Sequence, residues 1–365
     1  MSIAERVRHT IWPRRGVAGH LGYCALRPLS SVFAVGVGLR GLGYRFGILH
    51  AGQAPVPVVS VGNLAVGGTG KTPFTLWLAE ALSARGARPA IVSRGYGGQQ
   101  SRGAVVVSCG AGPCMGPDIA GDEPVMLAKS FAGPVIVAPR RLDGARAAAA
   151  LGCDVVVLDD GFQHRALARA FDIVLLDRRR GPLLPAGPLR EPLRALSRAD
   201  AIVLMGRDDL EAPAPPRGVR APVFPARLHG VGVVESVGGV WHVRPMNVLA
   251  GRRVVTVTGV AQPQAFYAQL RRWEAVIEEV FEFPDHHRYT SQDWQRFARR
   301  GLDVDLIVTT EKDLVKLETF PFATGKLVAL RIAVQVEHAA ALLDAVATRI
   351  GLAGGPAEEA LDGHQ

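Results

Sequence analysis

The sequence predicts an α/β protein: a doubly wound, mostly parallel sheet with a second, smaller α/β domain after it. Three observations carry this. Short, uninterrupted Val/Ile/Leu runs recur from Val56 onward, a helix-period segment follows the first of them, and a Pro-rich break at 211–225 precedes a second such alternation. Strands apolar on both faces are covered on both faces, which is the situation of parallel sheets flanked by helices.

The elements can be read in order. Pro28 to Leu39 (PLSSVFAVGVGL) is uncharged but only 12 residues long, flanked by Arg14, Arg15 and Arg27 before it and Arg40 and Arg45 after it. A membrane-spanning helix needs about 20 apolar residues. Apolar residues among arginines instead predict a helix lying in the headgroup layer of an anionic membrane surface. VPVVSVG (56–62) reads as a buried strand. Phe74, Trp77, Leu78, Ala81 and Leu82 then recur at helical spacing, ending before Gly86. PAIVS (89–93), PVIVA (134–138), DVVVL (154–158), DIVLL (172–176) and AIVLM (201–205) are the remaining strands of the first unit.

This pattern gives an N-terminal domain over 1–225, with its membrane-associating segment at about 1–50. A linking ribbon covers 226–250, a smaller C-terminal α/β domain 251–350 and a mobile tail 351–365. Within the smaller domain VVTVTG (254–259), VIEEVFEF (276–283), DLIVTT (305–310) and VALRIAV (328–334) read as strands. Residues 263–273 and 291–300 read as helices, the first opening at Pro263 and the second capped by Ser291.

The net charge of +9 suits an anionic partner without choosing one. No basic block with interleaved aromatics is present, which argues against nucleic acid. Arginine supplies nearly all the positive charge. The lysines are Lys71, Lys129, Lys312, Lys316 and Lys326, so a lysine that persists points to a position needing a compact ammonium. Cys24, Cys109, Cys114 and Cys153 read as free thiols in a reducing compartment, because no second Cys/His pair completes a zinc site.

The strongest chemical signal is VGNLAVGGTGKTP (61–73), which follows a buried strand and opens an amphipathic helix. Gly67, Gly68, Thr69 and Gly70 let several backbone N–H groups face one anion at the positive end of the helix dipole. Lys71 is placed to reach the β- and γ-phosphates of ATP, and the Thr72 hydroxyl to ligate Mg²⁺. Ala65 stands where the usual spacing has glycine. The fold expected is therefore of the P-loop NTPase type. DVVVLDDGFQH (154–164) ends a strand in two carboxylates, and an Asp at such a strand end helps hold magnesium, so Asp159 and Asp160 are the candidates. Guanine recognition needs an Asn/Thr-Lys-x-Asp run. TEKD (310–313) has its Lys one position late, which favours ATP over GTP. SRGYGG (93–98), GDEP (121–124) and FPDHHRY (283–289) are polar clusters at strand ends or loops. Each is open to a turn, a base or a metal site from its residues alone.

Together with LLPAGPLREPL (183–193) and TTEKD (309–313), these motifs resemble the tetraacyldisaccharide 4′-kinase family of lipid A biosynthesis, in family order across most of the chain. The resemblance implies transfer of the ATP γ-phosphoryl group to the 4′-hydroxyl of a tetraacylated glucosamine disaccharide 1-phosphate. It implies a peripheral enzyme on the cytoplasmic face of the bacterial inner membrane, acting on a glycolipid, with no obligate protein partner. By motif, Asp122 and His286 would activate the sugar hydroxyl together with Lys71 at the triphosphate, His287 being the rival partner. Arg94, Tyr96, Glu123, Arg190 and Glu191 would line the site. A rival class is a P-loop switch or metal-insertion chaperone, with the Asp-His-His stretch and Cys109/Cys114 carrying metal.

Overall fold

The computed structural model describes residues 7–99, 103–207, 212–323 and 325–352; the tail expected at 351–365 lies almost wholly outside them. The first long element is α1 (Gly16–Arg45), a 30-residue helix that includes the expected apolar stretch and its flanking arginines. It is therefore longer than the uncharged run, and by length and composition it is long enough to cross a membrane. Arg27 and Arg40 continue it because arginine is a good helix former. Val17, Leu21, Val32, Val35 and Leu39 on it are exposed. It is tied to the body at few points: Arg40 donates to the Gln163 carbonyl (2.9 Å), and the Ala186 N–H donates to Ser30 Oγ (3.2 Å).

The first unit continues with β1 (Val58–Asn63), α2 (Lys71–Ala84), β2 (Pro89–Ser93), β3 (Val105–Cys109), α3 (Asp122–Ser130) and β4 (Pro134–Val137). It is completed by α4 (Arg141–Ala150), β5 (Val155–Asp159), β6 (Phe171–Leu176) and β7 (Ala201–Arg207). β8 (Val223–Val237) and β9 (Val240–Arg244) form a hairpin. The second unit holds β10 (Arg253–Thr258), α5 (Pro263–Arg272), β11 (Val276–Glu282), α6 (Ser291–Gly301), β12 (Leu306–Thr310), α7 (Glu311–Leu317), β13 (Leu327–Val336) and α8 (Ala339–Ile350). Thr290, not Ser291, caps α6. Its hydroxyl accepts from the Asp293 N–H while the Asp293 carboxylate accepts from the Thr290 N–H, a reciprocal box that Ser291 inside the helix could not make.

Among the described residues all thirteen strands form one sheet, ordered β11-β10-β12-β13-β8-β7-β6-β1-β5-β2-β4-β3, with β9 beside β8. Within each unit the pairs are parallel except at the edge strand β3, which runs antiparallel to β4. β8 joins the units. Its first residues run parallel to β7, its middle pairs antiparallel with β13, and its end pairs with β9.

Alternation along the strands divides the first core between two faces. Ile91, Val155 and Val157 face α2, where Phe74, Leu78 and Leu82 are fully buried, whereas Ala90, Val92, Val156 and Leu158 face Ala145 and Ala148 of α4. Each large side chain so buried contributes roughly 1.5–3 kcal/mol. One element crosses the boundary expected at 225 and 251. Leu342, Leu343 and Val346 of α8 complete the core around α2, and Arg85 pairs with Asp344 at 2.7 Å. The apolar face of α8 finds its partner in the first unit, although its sequence follows the second.

Candidate active site

β1 and β5 are parallel neighbours, with Val61 opposite Asp159. Their carboxyl ends therefore lie side by side, and the glycine loop leaving β1 curls over the carboxylate ending β5. Gly67 has φ +105° and Gly70 φ +85°, and Gly70 caps α2 in the left-handed region. The loop needs glycine at 67 for this left-handed conformation, and a Cβ there would also displace the Arg179 guanidinium, whose Nη1 it would meet at 2.5 Å. Arg179 braces the loop by donating to the Val66 carbonyl (2.5 Å) and Thr69 Oγ1 (2.9 Å), while Asp177 accepts from its Nε (2.7 Å).

Thr72 Oγ1 donates to Asp159 Oδ2 and Thr75 Oγ1 to Asp159 Oδ1, both at 3.3 Å. Asp159 is 2% exposed. Burial, then the neighbouring Glu123 carboxylate, push its carboxyl up to about 7. Asp160 turns the other way. Its φ is +56°, and Arg190 grips it at 2.8 and 3.1 Å, with Lys71 Nζ 3.6 Å away. Burial alone would raise the Asp160 carboxyl, yet Lys71 and Arg190 hold it below its ordinary value. Successive residues at the strand end thus serve opposite sides.

The facing wall comes from the second unit. His286, at φ +61°, places Nδ1 3.3 Å from Asp122 Oδ2 at the start of α3. Its ring lies 4.9 Å from that of Tyr96. Lys312 donates to Asp285 (2.8 Å), lies 3.1 Å from His286 Nε2 and 3.7 Å from Glu123. An ammonium can only donate, so the arrangement satisfying both partners has Nε2 accepting from Lys312 and Nδ1–H donating to Asp122. His287 points elsewhere: Nε2 meets Asp293 at 3.0 Å and the ring stacks on Phe283 at 4.6 Å. The Asp-His-His stretch therefore does not converge on one point. Cys109 and Cys114 are exposed free thiols at the β3 edge of the sheet.

Between the walls lies a cleft of about 730 Å³. It is lined by Gly67, Gly68, Thr69, Gly70, Lys71 and Thr72 of the loop, by Arg94, Tyr96, Glu123, Asp159, Asp160 and Arg190, and by His286 and Lys312 opposite. Its apolar end is walled by Leu76, Met126, Leu228, Phe266 and Ile332. The surroundings are rich in arginine. Burial, then Arg141, Arg169, Arg40 and Arg94, push His164 down to about 4. Such a setting favours anionic ligands.

Glu191 is one of two predicted residues that do not line the cleft. It is 8% exposed and bound at both oxygens by Arg198 (2.8 and 3.1 Å), so it anchors the loop carrying Arg190 from behind. Asp122 also stands behind the lining, reached through His286. In TEKD, Asp313 is fully buried and accepts from the Gly259 N–H (2.9 Å) and Thr310 Oγ1 (2.8 Å), which leaves it unavailable to a base. The sequence reasoning overlooked Lys312, Lys316, Arg179 and Gln163. For the two lysines a signal was present, since they are two of only five lysines in the chain.

A phosphate loop at a helix start, a strand-end carboxylate beside it and a polar dyad across the cleft define a P-loop phosphotransferase. Comparison with known proteins agrees. The model of the family described as Tetraacyldisaccharide-1-P 4'-kinase matches residues 23–351. The tetraacyldisaccharide 4'-kinase of Anaeromyxobacter dehalogenans strain 2CP-1 is 41% identical over 355 residues, covering 92% of this chain and 93% of that protein. That of Halorhodospira halophila is 42% identical over 303 residues, covering 82% and 85%. A crystal structure of the "apo" form of LpxK from Aquifex aeolicus in complex with ATP superposes with a TM-score of 0.77 at 32% identity, over 90% of this chain and 99% of that one. The chain belongs to the tetraacyldisaccharide-1-P 4'-kinase family.

Proposed function

We propose that this protein transfers the γ-phosphoryl group of ATP to the 4′-hydroxyl of a tetraacylated glucosamine disaccharide 1-phosphate, forming lipid IVA. One observation carries the reading beyond family membership: the phosphate loop faces His286, itself bonded to Asp122, across a single cleft. The transition state of phosphoryl transfer is loose, so catalysis is mostly positioning and charge stabilisation. The amides of Gly67 to Gly70 and the Lys71 ammonium hold the triphosphate. The Asp122–His286 pair activates the sugar hydroxyl as the phosphoryl group moves, with His286 at the cleft and Asp122 bonded to it from behind. Tyr96, Arg94, Glu123 and Arg190 surround the acceptor.

Thr72 and Asp159 offer hard oxygen donors 3.3 Å apart, and burial of that carboxylate calls for a compensating cation, so the residues fit Mg²⁺. Magnesium supplies neutralisation of the charge on the β- and γ-phosphates. Asp160, in this reading, orients Arg190 and Lys71.

The exposed apolar residues of α1 and its arginines support association with the anionic surface of the bacterial inner membrane, on the cytoplasmic face where ATP is available. The test is incubation with γ-labelled ATP and the disaccharide 1-phosphate precursor, followed by chromatography of the lipid. Label in a bis-phosphorylated lipid is the expected result. Hydrolysis of ATP without labelled lipid would overturn the assignment.

A further inference from the structure

The phosphate loop has a back as well as a front. β1 lies between β5 and β6, and β6 leads directly into Asp177. Asp177 Oδ1 accepts from the Arg179 N–H (2.9 Å), and Oδ2 accepts from Arg179 Nε (2.7 Å). One carboxylate thus fixes both the main chain and the guanidinium of Arg179. The planar fork lets the two remaining nitrogens reach separate acceptors. Nη1 meets the Val66 carbonyl at 2.5 Å, and Nη2 meets Thr69 Oγ1 at 2.9 Å. Neither Asp177 nor Arg179 lines the cleft.

The entry to the loop is fixed as far as Val66, whose N–H donates to the Pro188 carbonyl (2.8 Å). The Val66–Gly67 peptide is therefore the first that is free to rotate. It is trans, so its C=O and N–H point in opposite directions. Holding the carbonyl at the back turns the Gly67 N–H to the front, toward the cleft. Glycine offers little resistance to a flip of this peptide, so the restraint has to come from Arg179. Further along, the Thr69 hydroxyl is 3% exposed. It accepts from Asn63 Nδ2 and from Arg179, and donates to the Gly67 carbonyl (3.3 Å). Two acceptances and one donation fill a hydroxyl's capacity. The Thr69 side chain is thus a strut inside the loop, and its backbone is what remains for an anion.

We propose that Arg179 is a positioning residue for the nucleotide: locked by Asp177, it holds the Val66 carbonyl and the Thr69 hydroxyl from behind, so that the Gly67 amide faces the cleft before ATP arrives. This rests on the loop holding the triphosphate and is independent of how the acceptor hydroxyl is activated. A glycine loop ordered only by its ligand loses part of the binding free energy to backbone entropy, and a loop ordered in advance does not. Arg179 therefore acts on the affinity for ATP. Once ATP is bound, its phosphates hold the amides in place themselves.

The experiment measures the Kd of Mg·ATP by calorimetry, and kcat with the KM of each substrate, on the full chain. Arg179→Met removes the fork and is expected to raise Kd and KM for ATP roughly 10–100-fold. KM for the lipid acceptor is expected to stay, and kcat at saturating ATP to remain within about threefold. Arg179→Lys keeps the charge but is a point donor that cannot serve both acceptors as the fork does. Its ATP affinity is expected to lie nearer that of Arg179→Met than that of the wild type. A purely structural brace would lower the melting temperature and the active fraction and leave KM for ATP where it is. Unchanged ATP affinity in folded Arg179→Met overturns the proposal, and so does wild-type affinity in Arg179→Lys. If Arg179→Met does not fold, Asp177→Asn decides, because it loosens the lock on the guanidinium. Its ATP affinity is expected to fall roughly three- to tenfold, and no change there overturns the proposal. Lys71→Ala separates the two readings. Weakened ATP binding there with unchanged binding in Arg179→Met refutes only the role of Arg179, whereas unchanged binding in both refutes the loop as the triphosphate site.

Discussion

Asp159 makes the free protein less stable as pH rises toward and past 7. Its carboxyl rises from an ordinary 3.8 to about 7, chiefly because it is buried and then because Glu123 is near. A group whose folded pKa is raised binds its proton more tightly in the folded state. Its stabilisation is complete below the unfolded pKa and is lost as pH rises through the folded one. The window here runs from about 4 to about 7, and a span of about three units corresponds to roughly 4 kcal/mol. That is a large share of the 5–15 kcal/mol typical of a domain. Asp159→Asn keeps the shape and one carbonyl acceptor for the two threonines but cannot ionise. Urea melts in EDTA without nucleotide, from pH 4 to pH 8, should show wild-type stability falling across the window and the variant staying flatter. At pH 8 the unliganded variant should be the more stable protein by up to roughly 4 kcal/mol, while its magnesium-dependent turnover collapses. Parallel stability curves for the two proteins would refute the reasoning.

Three further outcomes are expected. Lys71→Ala should nearly abolish lipid phosphorylation with an unchanged circular dichroism spectrum. In the dyad, the double variant Asp122→Ala/His286→Ala should turn over little worse than the worse single one, and His287→Ala should cost stability at α6 and not turnover; multiplicative losses, or a larger loss at His287, would move the assignment. Glu191→Ala leaves Arg198 without its buried partner, so about 3 kcal/mol of stability should go while turnover per folded molecule is largely kept, measured by thermal melts and active-site titration.

How much the sequence disclosed depended on how local each feature is. The phosphate loop was legible because strand, glycines, Lys71, Thr72 and helix are contiguous. The strand-end pair at 159–160 was legible as a metal candidate, but not the division of labour, which depends on the left-handed backbone of Asp160 and the grip of Arg190. Asp122 and His286 stand 164 residues apart, so no window of sequence joins them, and only the family resemblance paired them. Glu191 sits beside Arg190 in the chain, yet adjacent residues of a loop face opposite ways, one to the cleft and one to Arg198. β3 escaped notice as a short Val run among glycines. α8 escaped because its apolar face answers to a core far earlier in the chain. The lysines of α7 could have been found by extending to them the rarity argument applied to Lys71.

The continuity of the sheet through β8 also bears on how the chain is born. When β8 leaves the ribosome its residues 226–228 have β7 on one side only, and the partner of their other side and of the residues that follow, β13, is made about a hundred residues later. At 5–20 residues per second that edge stays open for roughly 5–20 s. An unpaired strand edge is a template for wrong pairing. The first core waits longer still, since α8 supplies its last wall. Neither half can therefore close before β13 and α8 have been made. Release of a nascent chain at a stop codon near residue 250 should yield an aggregating fragment, and holdase chaperones should crosslink most strongly to chains stalled between β9 and β13.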